Sequence, residues 1–142
     1  MTRRPHMQHH PCALPSARSR VRYVVLAFGV VAAGLLWRSG FIPLSPFLSK
    51  YGGDALWALM VFTGFGFLFP RASTQTLALL ALGSAWSVEF SQLYHAPWLD
   101  VVRATLPGRL LLGNTFNWPD LPAYALGVGF GAWGEWRLLK PA

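Results

Sequence analysis

The sequence predicts an all-α, polytopic membrane protein with four transmembrane helices, and three observations support that prediction. Hydrophobic residues make up 54% of the 142 residues and charged residues only 12%, whereas about 25% of a soluble domain is charged. Four apolar segments follow one another along the chain, separated by polar connections. Five arginines precede the first apolar segment, which is typical of a cytoplasmic flank.

Residues 1–20 are rich in Pro, Arg, His and Ser, and we expect them to form a disordered, basic cytoplasmic tail. The single cysteine, Cys12, lies in this tail, which excludes an internal disulfide framework. The histidines beside it are incidental polar residues or, alternatively, ligands of a transition metal. Residues 21–142 form the predicted transmembrane domain, and its first span is 21–37. A cleaved signal peptide is the alternative interpretation of that segment.

The second predicted span is 54–69, and Pro70 ends it. Only a few residues separate it from the third span, 74–94, so the two form an antiparallel hairpin. Ser73 or Thr74 is placed to cap the third helix.

The connection between spans three and four contains an amphipathic segment, 98–106. We expect a short interfacial helix there, followed by a turn at Pro107–Gly108. The fourth predicted span is 120–139. No internal repeat is visible in the sequence.

The distribution of charge predicts the orientation. With a cytoplasmic N-terminus, eight Lys and Arg residues lie inside and four lie outside, so both termini are expected to be cytoplasmic. The formal net charge of +7 then lies on the cytoplasmic side, which argues against nucleic-acid binding. The predicted location is the bacterial cytoplasmic (inner) membrane, with the lipid bilayer as the partner. The oligomeric state does not follow from the sequence.

Four of the five acidic residues belong to the outer half of this topology, where they face four basic residues. Such a balanced set suggests mutual pairing or a site for a zwitterionic or polar ligand. Glu89 stands out because it lies inside a predicted span, where an ionisable group is costly and is a functional candidate by default. Gln92, three residues on, shares its helix face. The alternative is a structural hydrogen bond or ion pair from Glu89 to Arg103 or Tyr124.

The fourth span carries a narrow stripe of residues spaced at helical intervals, namely Asp120, Tyr124, Gly127 and Gly131. Together with Ala123, the two glycines form a small-residue pattern that lets helices approach closely. The stripe is therefore predicted to face the bundle, which directs the carboxyl of Asp120 and the phenol of Tyr124 inward.

The remaining candidates flank this predicted pocket. Asp54 is expected to begin the second helix, where it suits the positive end of the helix dipole, and a plain N-cap is the alternative role. Asp120 has the same alternative. Arg103 and Arg109 lie in the connection that would cover the pocket. The candidate ligand-binding set is Glu89, Gln92, Asp120, Tyr124, Asp54, Arg103 and Arg109.

Three motifs, KYGGDALWALMVF, VEFSQLYHAPWLDVVRAT and LLGNTFNWPDLPAYALGVGFGA, resemble the domain of unknown function 2809 family, which consists of small bacterial integral membrane proteins. A more distant likeness is to VanZ-like proteins, and it implies a role in the cell envelope. That likeness rests on Glu89 and Gln92, on Arg103 or Arg109, and on Asp120, Ala123 and Gly127. Tyr124 stands where VanZ-like proteins commonly have Asn.

These residues favour binding of a lipid head group or an envelope precursor in a pocket at the outer leaflet. The alternatives are a membrane-embedded enzyme that uses Glu89 as general acid and base, and a purely structural or accessory subunit. A proton-coupled transporter is disfavoured, because four spans would require a dimer through the stripe of Gly127 and Gly131, which is already assigned to the inside of the bundle. No HExxH motif or cysteine cluster is present, so neither a metal nor a cofactor is expected.

Overall fold

The structure is a computed structural model that describes residues 18–139. Within that range the helices are α1 (Arg20–Arg38), α2 (Pro46–Leu68), α3 (Thr74–Ser91), α4 (Pro97–Ala104), α5 (Leu106–Leu112) and α6 (Asp120–Gly134), and α6 continues into a π-helical turn (Glu135–Leu139). No strand occurs between residues 18 and 139, which confirms the all-α class for this part of the chain. Most of the predicted tail, 1–17, lies outside the described residues.

The four long helices run up and down, and α2 lies at the centre. It packs against α1, α3 and α6, while α3 also packs against α6. Arg18, just before α1, bonds to Glu135 and to the carbonyl oxygen of Ala72, so both described chain ends and the α2–α3 turn lie together. We call this the terminal end. The opposite end carries α4 and α5, and we call it the loop end.

The buried core lies between α2, α3 and α6, and α1 lies outside it. Small residues of α3, including Ala81 and Ala85, let this helix approach its neighbours closely. The single buried side chain of α1 is Tyr23, whose ring occupies the space that a Cβ would take at Gly66 of α2. The remaining surface of α1 is largely exposed and apolar.

Helix α6 makes its closest approach to α2 at Gly127. A Cβ built there would overlap the backbone carbonyl of Ala55, and one built at Gly131 would meet the side chains of Phe62 and Leu59. Ala123 is also buried. The small-residue stripe thus lies against α2.

The predicted start of the second helix at Asp54 is wrong, because α2 begins eight residues earlier at Pro46. The Ser45 hydroxyl caps it by accepting the Leu48 N–H at 3.3 Å, and proline suits the first helical position because its missing N–H needs no partner there. Asp54 therefore lies more than two turns inside α2 and is not its N-cap.

Two consecutive glycines, Gly52 and Gly53, precede the predicted second span but lie within α2. The side chains of Trp37 and Arg38 occupy the positions where Cβ atoms would stand. The glycines therefore serve the close packing of α1 on α2 and do not interrupt the helix.

Helix α3 begins after Ser73, whose hydroxyl accepts the Thr76 N–H at 3.0 Å, so the predicted cap is confirmed. The helix ends at Ser91, three residues before the predicted end. Glu89 consequently lies in the last turn of α3, two residues before the end of the helix.

The connection after α3 forms two helices, α4 and α5, where the sequence predicted one helix and a turn. The expected turn at Pro107–Gly108 is wrong, because both residues belong to the first turn of α5. Thr105 caps that helix by accepting the Gly108 N–H at 3.1 Å. A proline is again tolerated because it stands in a first turn.

One described helix, α1, is long and apolar enough to cross a membrane by its length and composition. Helix α2 carries Lys50 and Asp54, α3 carries Glu89, and α6 has only 15 residues before its π-helical turn. The structure supports membrane association through α1, and it does not confirm four spans.

Candidate functional site

A polar cavity of about 120 Å³ opens at the loop end. Side chains of α2, α3 and α6 line it, and residues 109–115 border it. Arg38, from the end of α1, also contributes to the wall. The cavity therefore joins elements that are far apart in sequence, and six of the seven predicted ligand-binding residues lie along it.

Glu89 is fully buried in the cavity wall. Its Oε1 accepts the Asn117 N–H at 2.6 Å, and its Oε2 accepts the Tyr124 hydroxyl at 2.9 Å and the Gln92 amide at 3.3 Å. All three partners donate, which suits a carboxylate. The carboxyl group thereby joins the end of α3, the segment before α6 and the second turn of α6.

The hydrogen bond between Tyr124 and Glu89 is one of the two structural alternatives that the sequence offered for Glu89. Tyr124 is 7% exposed, and its ring lies 5.6 Å from that of Trp57, between ring centroids. The phenol therefore points into the bundle, as the stripe predicted.

Asp54 and Asp120 form a second group of charges on the other side of the cavity. Arg38 contacts Asp54 at 3.0 Å, and Lys50 lies 3.7 Å from the other oxygen of Asp54. Lys50 also pairs with Asp120. The N-cap position of α6 is Pro119, which makes no side-chain cap bond; the capping role considered for Asp120 is therefore wrong, and this residue is an ion-pair partner.

Arg103 does not line the cavity, and its predicted pairing with Glu89 is wrong. It is 3% exposed and donates to the carbonyl oxygens of Ser91 and Tyr94 at 2.7 and 3.0 Å. The guanidinium thus binds two carbonyl oxygens at and just after the C-terminal end of α3, where a cation also suits the helix dipole. Arg103 therefore holds α4 against the C-terminal end of α3.

Replacing Arg103 with lysine is expected to lower the free energy of unfolding by about 2 kcal/mol, because one ammonium cannot reproduce the planar fork that reaches two carbonyls. Chemical or thermal unfolding of the purified protein in mild detergent measures this. Arg109→Lys is the matched control, since the Arg109 side chain is exposed and makes no hydrogen bond or ion pair within the described residues. Equal stabilities of the two variants would contradict this role for Arg103.

Three residues that line the cavity have buried polar atoms without a hydrogen-bond partner in the described part of the chain. They are Asp54 Oδ2, Trp57 Nε1 and Gln92 Oε1. The amide nitrogen of Gln92 donates to Glu89 and, at 2.8 Å, to the carbonyl of Leu112, so its oxygen is the atom that remains available. Buried polar atoms are normally paired, and a polar occupant of the cavity would satisfy these.

The candidate set omitted Arg38, Lys50 and Trp57. Arg38 directly follows the first predicted span, 21–37. Because the second helix was predicted to begin at Asp54, Lys50 fell outside it, and the spacing of four residues between Lys50 and Asp54 on one helix was not recognised. The Ser-Pro pair at positions 45 and 46 is the signal that reveals this spacing, because it marks an N-cap and a first helical residue.

The lining of the polar cavity combines carboxyl, guanidinium, amide, indole and phenol groups, and none of the lining residues is Ser, Cys or His. No group of three or more His, Cys, Asp or Glu side chains between residues 18 and 139 is arranged to hold a metal ion.

A family model described as "Protein of unknown function (DUF2809)" matches residues 44–128, which is more than half of the chain. The match extends from the start of α2 into α6 and includes every lining residue of the polar cavity except Arg38. No solved structure matches the chain significantly. The more distant likeness to VanZ-like proteins stays a prediction.

Proposed function

The chain belongs to the DUF2809 family, whose description assigns no function, and we propose a function from the residues of the chain itself. We propose that the protein has four membrane spans and binds a small polar head group beside Glu89. The four spans are α1, α2, α3 and α6 with its π-helical turn. The head group belongs to a lipid or an envelope precursor. The protein resides in the bacterial inner membrane, and the cavity opens toward the outer leaflet.

Exposed apolar side chains support the membrane setting. Phe28 and Val25 of α1, Leu79 of α3 and Leu126 of α6 are each more than 60% exposed, although water-soluble monomers rarely expose extended apolar surface. Helices of 18 to 23 residues are about 27 to 35 Å long, close to the hydrocarbon thickness of about 30 Å.

Aromatic residues at both ends support the same setting. Trp98 and Trp118 at the loop end and Trp133 and Trp136 near the terminal end are all more than half exposed, as expected for belts at the two membrane interfaces. Arg137 stacks over Trp133 and Trp136, and such pairs suit the head-group region.

The charge distribution supports cytoplasmic termini. Arg18, Arg20, Arg22 and Arg71 belong to the terminal end together with Arg137, and basic residues are favoured on the cytoplasmic side. The tail at 1–20 and the transmembrane domain at 21–142 are the two parts of the proposed arrangement. The loop end, with its paired acids and bases, then faces outward.

The observation that carries the binding proposal is the polar cavity, whose lining residues include three buried polar atoms without a hydrogen bond in the described part of the chain. Three carboxyl residues (Asp54, Glu89 and Asp120) and three basic residues (Arg38, Lys50 and Arg109) surround it. Their formal charges cancel, so a neutral or zwitterionic group fits better than a strongly charged one.

Replacing Trp57 with phenylalanine is expected to reduce bound lipid about fivefold, since it removes the free indole donor and about 1 kcal/mol of hydrogen bonding. The purified protein would be extracted, and its retained lipids quantified by mass spectrometry against the bulk lipid composition. Trp98→Phe is the control, because Trp98 is exposed on α4 and outside the cavity. Retained lipid with bulk composition, unchanged in Trp57→Phe, would contradict the proposal.

A structural role is the second candidate, and the three hydrogen bonds of Glu89 favour it. In that case the charged residues at the loop end only hold the helices in register. The lipid measurement separates the two roles, because a purely structural cavity retains no selected lipid.

A further inference from the structure

A second, apolar cavity of about 360 Å³ lies between α1, α2 and α5, and we call it the apolar groove. Aliphatic side chains line it, among them Val31 and Leu35 of α1, Leu56 and Met60 of α2, and Leu110 of α5. It is three times as large as the polar cavity, and the head-group binding proposed above does not involve it.

The two cavities are neighbours. Arg38, Trp57, Leu110 and Leu111 line both of them. A polar compartment and an apolar compartment thus meet at a shared wall, and one molecule with a polar end and a hydrocarbon chain would occupy both.

We propose that the occupant is a phospholipid-type amphiphile, with a short donor-bearing head group in the polar cavity, its phosphate between Arg38 and Arg109, and one hydrocarbon chain in the apolar groove. This inference rests on the proposed function and assigns its ligand class. The four lining residues that the two compartments share carry it.

The head group is assigned from the unpartnered atoms. Gln92 Oε1 is a buried acceptor without a donor in the described part of the chain, and Asp54 Oδ2 accepts no hydrogen bond there although the ammonium of Lys50 lies 3.7 Å from it, so the ligand supplies N–H or O–H groups. The volume of about 120 Å³ corresponds to about four waters at roughly 30 Å³ each, which suits a head group of a few heavy atoms. Ethanolamine and glycerol heads share this chemistry.

The phosphate is assigned from Arg109 and Arg38. Arg109 borders the polar cavity and has no side-chain hydrogen bond or ion pair within residues 18–139, while Arg38 is partly exposed beside it and reaches both compartments. Guanidinium groups bind phosphate oxygens through paired N–H donors. With the phosphate between the two compartments, the head group of the lipid lies in the polar cavity and one acyl chain lies in the apolar groove.

The test uses the full chain in detergent, titrated by native mass spectrometry with dioleoyl phosphatidylethanolamine, phosphatidylglycerol and phosphatidylcholine, and with free phosphoethanolamine. Phosphatidylcholine carries no donor but matches phosphatidylethanolamine in charge and chains. At least one of the two donor-bearing lipids is expected to bind about fivefold or more tightly than phosphatidylcholine, and the tighter of the two identifies the donor as ammonium or hydroxyl. Equal binding of all three lipids overturns the assignment of the head group.

The groove is tested with Gly34→Leu against Gly29→Leu. A Cβ at Gly34, which lines the groove, meets only Leu56 at 4.0 Å, and a Cβ at Gly29, on the same helix outside the groove, meets nothing within 4 Å. The first variant is expected to weaken binding of the preferred lipid about tenfold, because the new side chain fills the groove, and to leave phosphoethanolamine binding unchanged. Gly29→Leu is expected to leave both unchanged. Val31→Phe fills the same groove from a neighbouring turn and serves if Gly34→Leu unfolds.

The outcomes separate the two proposals. If the groove-filling variants bind the preferred lipid as tightly as Gly29→Leu does, the chain assignment is overturned while head-group binding stands. If no probe binds wild type more tightly than Trp57→Phe, the proposed function fails and the amphiphile assignment fails with it.

Discussion

Replacing Glu89 with alanine is expected to lower the thermal unfolding midpoint in mild detergent by about 10 °C. The carboxyl group is fully buried and accepts hydrogen bonds from Asn117, Tyr124 and Gln92. Removing it leaves these donors unpaired in a buried site, and losing one partner of such a set costs about 3 to 5 kcal/mol. For a chain of this size, that free energy corresponds to a shift of about 10 °C.

Glu89→Gln keeps the shape but is expected to destabilise as well, because Glu89 has donors on both of its oxygens. A glutamine amide offers one oxygen, and its nitrogen would face the N–H of Asn117 or the donors at Oε2. Tyr124→Phe removes one donor only, and we expect a loss of about 1 kcal/mol. A loss of stability that decreases in the order Glu89→Ala, Glu89→Gln, Tyr124→Phe would identify the hydrogen bonds to Glu89 as the cause.

Asp100→Asn is the control for these variants, since Asp100 is a half-exposed carboxylate at the same end of the bundle and exposed ion pairs contribute about 0 to 1 kcal/mol. A Glu89→Gln protein as stable as wild type would contradict the structural role of this carboxyl group. Glu89 would then be retained at a cost, which favours direct contact with the ligand over a role in the cavity wall.

The sequence was sufficient to place side chains whose neighbours are set by helical spacing. Asp120 and Tyr124 face inward because they share a stripe with Gly127, and Gln92 lies beside Glu89 because it is three residues away. These relations depend on the geometry of a single helix, which the order of residues determines.

The errors arose where a contact depends on how separate segments pack. Arg103 lies on an amphipathic segment that was expected to cover the pocket, but the carbonyls at the C-terminal end of α3 are a stronger partner for its guanidinium. The predicted second span, 54–69, left Gly52 and Gly53 outside the helix, because their packing partner, the end of α1, is remote in sequence. Both cases needed a tertiary contact that no local pattern contains.

Gly127→Ala is expected to cause the largest loss of stability among single-methyl changes in α6. A Cβ at this position overlaps the carbonyl of Ala55, and a helix backbone cannot move aside as a side chain can. Helices α2 and α6 must then separate, which costs about 3 kcal/mol by overpacking and disturbs the Asp54 and Tyr124 walls of the cavity. The measurement is the unfolding midpoint, together with a size-exclusion profile that reports whether the protein stays monodisperse.

Two other glycines of the same helix make the comparison specific. The nearest atoms to a Cβ at Gly131 belong to the side chains of Phe62 and Leu59, which can shift, so Gly131→Ala is expected to lose about 1 kcal/mol of stability. A Cβ at Gly129 meets nothing within 4 Å, so Gly129→Ala is expected to keep or raise stability through the better helix propensity of alanine. All three variants add the same methyl group to the same helix, and only the distance to α2 differs. If Gly127→Ala were as stable as Gly129→Ala, the close approach of α6 to Ala55 would be wrong, and with it the geometry that brings Tyr124 to Glu89.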